Sequence, residues 1–185
     1  MSLFELDRFI HELRQAAVTP RAEATVERIM RSAFRHPDAI RNAMSGYEGE
    51  DELLFEDETV SVWYCGFDPD RHVPPHNHRT TAIIGVYRGE EINHFYQPGD
   101  GTLVRTASRE LIPGSVLRMS PTAIHSVETA GDDWSYGIHV YLAPLTTISR
   151  SLFDWDTGAA EPFSEDRFAE LTKQSLAQTR GIEPS

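Results

Sequence analysis

Apolar residues in the first 45 positions recur every three or four residues. Leu3, Leu6, Phe9, Ile10, Leu13 and Ala17 make one stripe, which Thr19-Pro20 interrupts. Ala22, Val26, Ile29, Met30 and Ala33 make a second, which stops near His36-Pro37. That period predicts two amphipathic helices. Asp38 stands where it can cap a short third helix, "AIRNAM", ended by Gly46. After residue 53 the period shortens. "LLFEDE", "TVSVWYCGF", "TTAIIGVYRG", "EINHFYQ", "TLVRTASREL", "SVLRMSP", "IHSVETA" and "YGIHVYLA" read as short strands separated by Pro, Gly and Asp turns. Many short strands at this spacing predict a sandwich or barrel rather than a parallel βαβ sheet. Residues 149–163 read as loop, and "SEDRFAELTKQSLAQTRG" as a last amphipathic helix capped by Ser164. The expectation is one mainly β domain over 1–185, with helices over 1–48, a barrel over 53–148, and a loop and helix over 149–185.

Composition narrows the partners. A length of 185 residues, with 39% hydrophobic and 25% charged residues, suits one soluble globular domain. The formal charge of -12 repels nucleic acid and anionic membranes, so the expected partners are small molecules, and the oligomeric state is left open. A single cysteine, Cys65, cannot form an intrachain disulfide and suits a reducing cytoplasm. The N-terminal "MSLFELDRFIHEL" is acidic and amphipathic, unlike a secretion signal, and no apolar run is long enough for a bilayer.

The chemistry concentrates in histidines. "VPPHNHRTTAIIGVYRGEE" places His76 and His78 one residue apart, ahead of a β-branched run. In a strand, residues i and i+2 share a face, so both rings and then Thr80, Ala82, Ile84 and Val86 are expected to point inward. Alone, such a pair is either half of a metal claw or two solvent-facing residues. "LIPGSVLRMSPTAIHSVET" supplies a third imidazole, His125, on another strand, and three such donors leave coordination positions open.

This two-part layout resembles the cupin family, whose fold is a double-stranded β-helix, or jelly-roll barrel. The cupin pattern has a glutamate between His-x-His and a closing glycine. Gly89 fits that glycine, and counting back places Ala82 where the glutamate would stand. The remaining three-histidine set is similar to that of the cysteine dioxygenase-like and 3-mercaptopropionate dioxygenase-like thiol dioxygenases. "SYGIHVYLAP" strengthens the resemblance, which covers roughly residues 53–155 together with the order of the preceding helices. It implies iron(II), Fe(2+), held by His76, His78 and His125, with a small thiol and O2 as reactants and a sulfinate as product. It further implies that Tyr141 donates to the reacting groups and that His139 orients its hydroxyl. Gly137 departs from the family serine, and Ser135, one pleat away, is a candidate replacement.

Other departures leave the substrate open. Where family members carry a carboxylate-anchoring arginine or glutamine, "EGEDELLF" offers Glu50, Asp51 and Glu52, which would favour an amine. Arg79 is expected outside, and Arg118 is a possible anchor. Ala82 matches the cysteine that crosslinks to tyrosine in mammalian cysteine dioxygenase, so no crosslink is expected. Glu90 and Glu91 are expected to face water, His72 and His94 to be loop and strand-face residues, and Trp63, Tyr64, Phe95 and Trp134 to be mainly core, with Tyr64 and Phe95 as candidate cavity-lining residues. Other three-histidine cupins cleave diketones, and zinc in such a shell supports hydrolase or lyase chemistry. A non-enzymatic ligand-binding cupin is a further alternative.

Overall fold

The computed structural model describes the backbone of residues 4–180 and the side chains of 4–173. Three helices lead: α1 (Leu6–Ala17), α2 (Ala22–Ala33) and α3 (Pro37–Ala43). Asp38 is not the cap of α3. Pro37 occupies the first turn, where its missing N–H costs nothing, and His36 takes the cap position. Eleven strands follow: β1 (Glu52–Glu56), β2 (Ser61–Phe67), β3 (Val73–His76), β4 (Ala82–Arg88), β5 (Glu91–Pro98), β6 (Leu103–Leu111), β7 (Val116–Met119), β8 (Ile124–Thr129), β9 (Ser135–Tyr141), β10 (Ser151–Phe153) and β11 (Ala160–Pro162). A last helix, α4 (Glu165–Arg180), starts as expected, with the Arg167 N–H donating to Ser164 Oγ at 3.3 Å. No helix among the described residues is long and apolar enough to cross a membrane.

The strands form two antiparallel sheets, ordered β1-β2-β9-β4-β7 and β11-β10-β3-β8-β5-β6. Taking β2 to β9 as strands one to eight, one sheet holds the first, eighth, third and sixth. The other holds the second, seventh, fourth and fifth. That interleaving is the jelly-roll order of a double-stranded β-helix. Residues 149–163, expected to be loop, contain β10 and β11, which extend the six-stranded sheet beyond β3.

The five-stranded sheet is buried on both faces, which explains the unbroken apolar run of β4. Its outer face carries Val62, Tyr64, Ile83 and Ile138 against Leu13, Met30, Phe34 and Ile40 of the helical layer. Gly85 permits this packing, because a Cβ there would meet the Phe34 ring at 2.5 Å. The inner face carries Ala82, Ile84, Val86 and Tyr141. The helices therefore brace one wall of the barrel, and the opposite wall presents the histidines.

Candidate metal centre

Three strands and one turn assemble the site. His76 ends β3 and is the register partner of His125 in β8, so both rings leave the same face of one sheet. His78 lies beyond the strand. Arg79 takes a left-handed φ of 56°, and the chain crosses there to β4 in the other sheet. The expected alternation from His76 through Val86 on one continuous strand is thus corrected, although the rings still converge. Ring centroids are 4.7 Å apart for His76 and His78, 4.4 Å for His76 and His125, and 5.1 Å for His78 and His125. One ring nitrogen from each lies within 4.8 Å of the others.

The far nitrogens show which lone pairs are free. His76 Nδ1 donates to the Pro74 carbonyl at 2.9 Å, and His125 Nδ1 donates to Asn93 Oδ1 at 2.9 Å. Asn93 Nδ2 in turn donates to Glu91 Oε1 at 3.1 Å, and Ser135 donates to Glu91 Oε2 at 3.4 Å. Such outer contacts fix tautomers and leave Nε2 as the ligating atom. His78 Nε2 and His125 Nε2 stand 3.0 Å apart. Two nitrogens bound at about 2.1 Å and at right angles to one ion are separated by about 3 Å, so the spacing fits a shared cation. Burial pushes His76 down to about 4 and holds His78 and His125 well below the ordinary imidazole value, so all three are neutral donors at neutral pH. Among the described residues, no carboxylate joins this cluster.

Glu91 corrects a sequence expectation. It is fully buried, not water-facing, and burial raises its carboxyl to about 7. Ser135 serves Glu91 and does not replace the serine absent at position 137. Glu90 is exposed, as expected.

His139 and Tyr141 lie beside the trio on the opposite wall. The rings of Tyr141 and His78 have centroids 4.8 Å apart, and His139 Nδ1 is 3.3 Å from the Tyr141 hydroxyl. His139 Nε2 is buried without a partner among the described residues. An orphaned acceptor costs less than an orphaned N–H, which favours the tautomer with Nδ1–H donating to Tyr141. The phenolic hydrogen is then free for the cavity. Gly137 creates this arrangement. A Cβ there would stand 3.3 Å from His139 Nε2 but only 2.7 Å from the Gly85 carbonyl oxygen, so a side chain requires β9 and β4 to move apart.

These groups line a cavity of about 370 Å³, in the size range of small-ligand sites. Trp63 and Trp134, expected to be core, are on its wall, whereas Tyr64 packs in the helical layer. Phe95 stacks on His125 with centroids 6.2 Å apart. Cys65, Asp51 and Glu50 also line it, and burial raises Asp51 to about 6. Arg118 is no anchor, because it pairs with Glu27 of α2 at 3.2 Å. Another arginine, Arg150, does line the cavity. Its guanidinium lies 3.5 Å from the Phe163 ring centroid, and the carboxylates whose charges act on it are Glu165 and Asp51. Sequence reasoning missed it because the approach to β10 reads as loop.

The fold is a double-stranded β-helix, or jelly-roll barrel. No family model matches the chain. Among solved structures it is similar to a double-stranded β-helix protein from Klebsiella pneumoniae subsp. pneumoniae MGH 78578, at 19% identity over 60% of this chain and 84% of that one, with a TM-score of 0.44. An RmlC-like cupin from Methanocaldococcus jannaschii shares 11% identity over 52% of this chain and 81% of that one, with a TM-score of 0.44. The vicilin of Solanum melongena shares 13% identity over 51% of this chain, with a TM-score of 0.43. This chain spans 26% of that vicilin's length and 33% of the vicilin of Capsicum annuum.

Proposed function

We propose that this protein is a non-haem iron(II) thiol dioxygenase that adds both atoms of O2 to the sulfur of a small thiol, giving a sulfinate. The observation that carries the reading is three neutral imidazoles converging with no acidic donor among the described residues, in the cavity that also holds the Tyr141–His139 pair. Iron(II) held by His76, His78 and His125 would keep its full double charge and would supply thiolate stabilisation and dioxygen activation.

The chain's own residues do the rest. His76, His78 and His125 are held neutral by burial, and the first and last are oriented by their outer hydrogen bonds, so binding needs no proton loss from the imidazoles. Tyr141 stays protonated, because burial pushes its hydroxyl well above the ordinary phenol value, and it donates toward the reacting sulfur and oxygen atoms. His139 orients that hydroxyl. Arg150 offers the positive charge for a thiol that carries a carboxylate, in place of the amine that Glu50 and Asp51 on the same cavity wall would favour by themselves. Phe163 and Phe168 close the wall near α4 and keep water from the reacting sulfur. The balance is one thiolate plus one O2 to one sulfinate, with no external reductant.

The test is anaerobic iron(II) loading followed by oxygen uptake with 3-mercaptopropionate, cysteine and cysteamine. The expected result is one sulfinate per O2, both oxygens from O2, with the carboxylate thiols turned over faster than cysteamine. Iron-bound protein that forms no sulfinate from any of these thiols overturns the reading.

A further inference from the structure

Strand alternation divides β5 and β8 between two environments. Asn93, Phe95, His125 and Val127 turn toward the barrel interior, so His94, Tyr96, Ser126 and Glu128 turn to the outer face of the six-stranded sheet. A second constellation forms there, with His72 reaching over from the loop before β3. His94 Nε2 lies 2.8 Å from Glu128 Oε1, and His72 Nδ1 lies 3.7 Å from Glu128 Oε2. One ligand atom from each of the three lies within 4.8 Å of the other two.

The far nitrogens are held here too. His72 Nε2 is 3.0 Å from Ser126 Oγ, and His94 Nδ1 is 2.8 Å from Ser108 Oγ. Ser126 is itself held by the Tyr96 hydroxyl at 3.0 Å. Trp155 packs edge-on against His72, with centroids 4.8 Å apart. The two imidazole side chains are 17% and 7% exposed, whereas Glu128 is 38% exposed, which gives a way in from solvent.

We propose that His72, His94 and Glu128 form a second divalent-cation site, for a borderline ion of the zinc class, on the outer face of this sheet. Two imidazoles and one carboxylate are a recognised donor set for such an ion, and the serine contacts orient both rings as outer-shell partners do. Solvent completes the coordination beside Glu128. Burial holds His72 below its ordinary value, in the neutral form that ligates. The site ties the loop ahead of β3, the strand that ends at His76, to β8, the strand that carries His125. It is therefore a clamp behind the candidate centre, built from separate residues and independent of the reaction proposed there. The competing account of the same contacts is a protonated His94 paired with Glu128, with no ion.

Zinc titration of the full chain decides between them. In a His76→Ala/His125→Ala background, which removes the inner cluster, one zinc is expected to bind per chain and to raise Tm by roughly 5–10 °C at a hundredfold excess over Kd. Glu128→Gln in that background is expected to weaken binding at least tenfold and, at the same zinc concentration, to cut the Tm shift by about half or more. Glu128 is partly exposed, so this substitution leaves the fold intact, which circular dichroism checks. If the double-alanine background does not fold, the same comparison is made in the otherwise unaltered chain, where Glu128→Gln lowers the zinc count by one. Absence of zinc binding in the folded background, or a count and affinity unchanged by Glu128→Gln, overturns the proposal.

Discussion

His76 and His125 are direct register partners across β3 and β8, with ring centroids 4.4 Å apart. Sheet pairing therefore sets the distance between two of the three candidate ligands, whatever the intervening loops do. His78 is held differently. Asn77 donates its N–H to the Ser151 carbonyl at 3.1 Å, and its Oδ1 accepts the Ser151 N–H at 3.0 Å, pinning the turn to β10.

Two substitutions separate these contributions. His125→Ala is expected to reduce bound iron(II) more than a hundredfold in affinity, since loss of an outer-shell partner alone costs about 10–100-fold. Asn77→Ala keeps all three imidazoles and is expected to weaken binding about tenfold by releasing the turn. Competition with a chromophoric chelator measures both, and unchanged affinity in Asn77→Ala contradicts the pinning role.

Tyr141→Phe removes only the phenolic oxygen. Bound iron is expected to stay at the wild-type level while kcat for sulfinate formation falls roughly 100-fold, the size of one well-placed donor. His139→Phe is expected to fall less, because His139 only orients the hydroxyl. Iron content and steady-state rates measured on the same samples check both, and a Tyr141→Phe enzyme with full kcat removes the tyrosine from the chemistry.

Arg150 should discriminate among substrates. Arg150→Ala is expected to raise KM for 3-mercaptopropionate by at least tenfold, while cysteamine, which has no carboxylate, is affected less than twofold. A lost charge-assisted contact of about 1.5–3 kcal/mol gives that scale. Equal losses for both thiols would mean that Arg150 supports the fold through Phe163 rather than reading the substrate.

Glu91 predicts a pH signature in the metal-free protein. Its carboxyl rises from 4.5 in the unfolded chain to about 7 when folded, because burial disfavours the charged form. The folded state thus binds the extra proton between these values, and the stabilisation, full below about 4.5, is lost as pH rises through about 7. The buried histidines act in the opposite sense, their pKa values being lowered on folding, so the comparison is made against Glu91→Gln. Relative to that variant, the wild type is expected to lose about 2–3 kcal/mol between pH 5 and pH 8. Urea denaturation at both pH values measures the difference, and parallel curves would place the Glu91 carboxyl near its unfolded value.

The residue pattern alone determined the helical lead, the run of short strands and the identity of the three converging imidazoles. Each is a local signal: a three-to-four residue period, alternation between turn residues, and histidines flanked by proline turns. Tertiary structure decided the rest. It ended β3 at His76 and turned the chain at Arg79, because β3 and β4 belong to opposite sheets of the jelly roll. It buried Glu91 behind His125, which no single-strand pattern distinguishes from a solvent-facing acid. It brought Arg150 into the cavity and His72 onto the outer face beside His94 and Glu128. Local periodicity reports which side of an element is apolar. Only the packing of distant strands sets which polar groups share one enclosed volume, and that sharing fixes the charge states on which the chemistry depends.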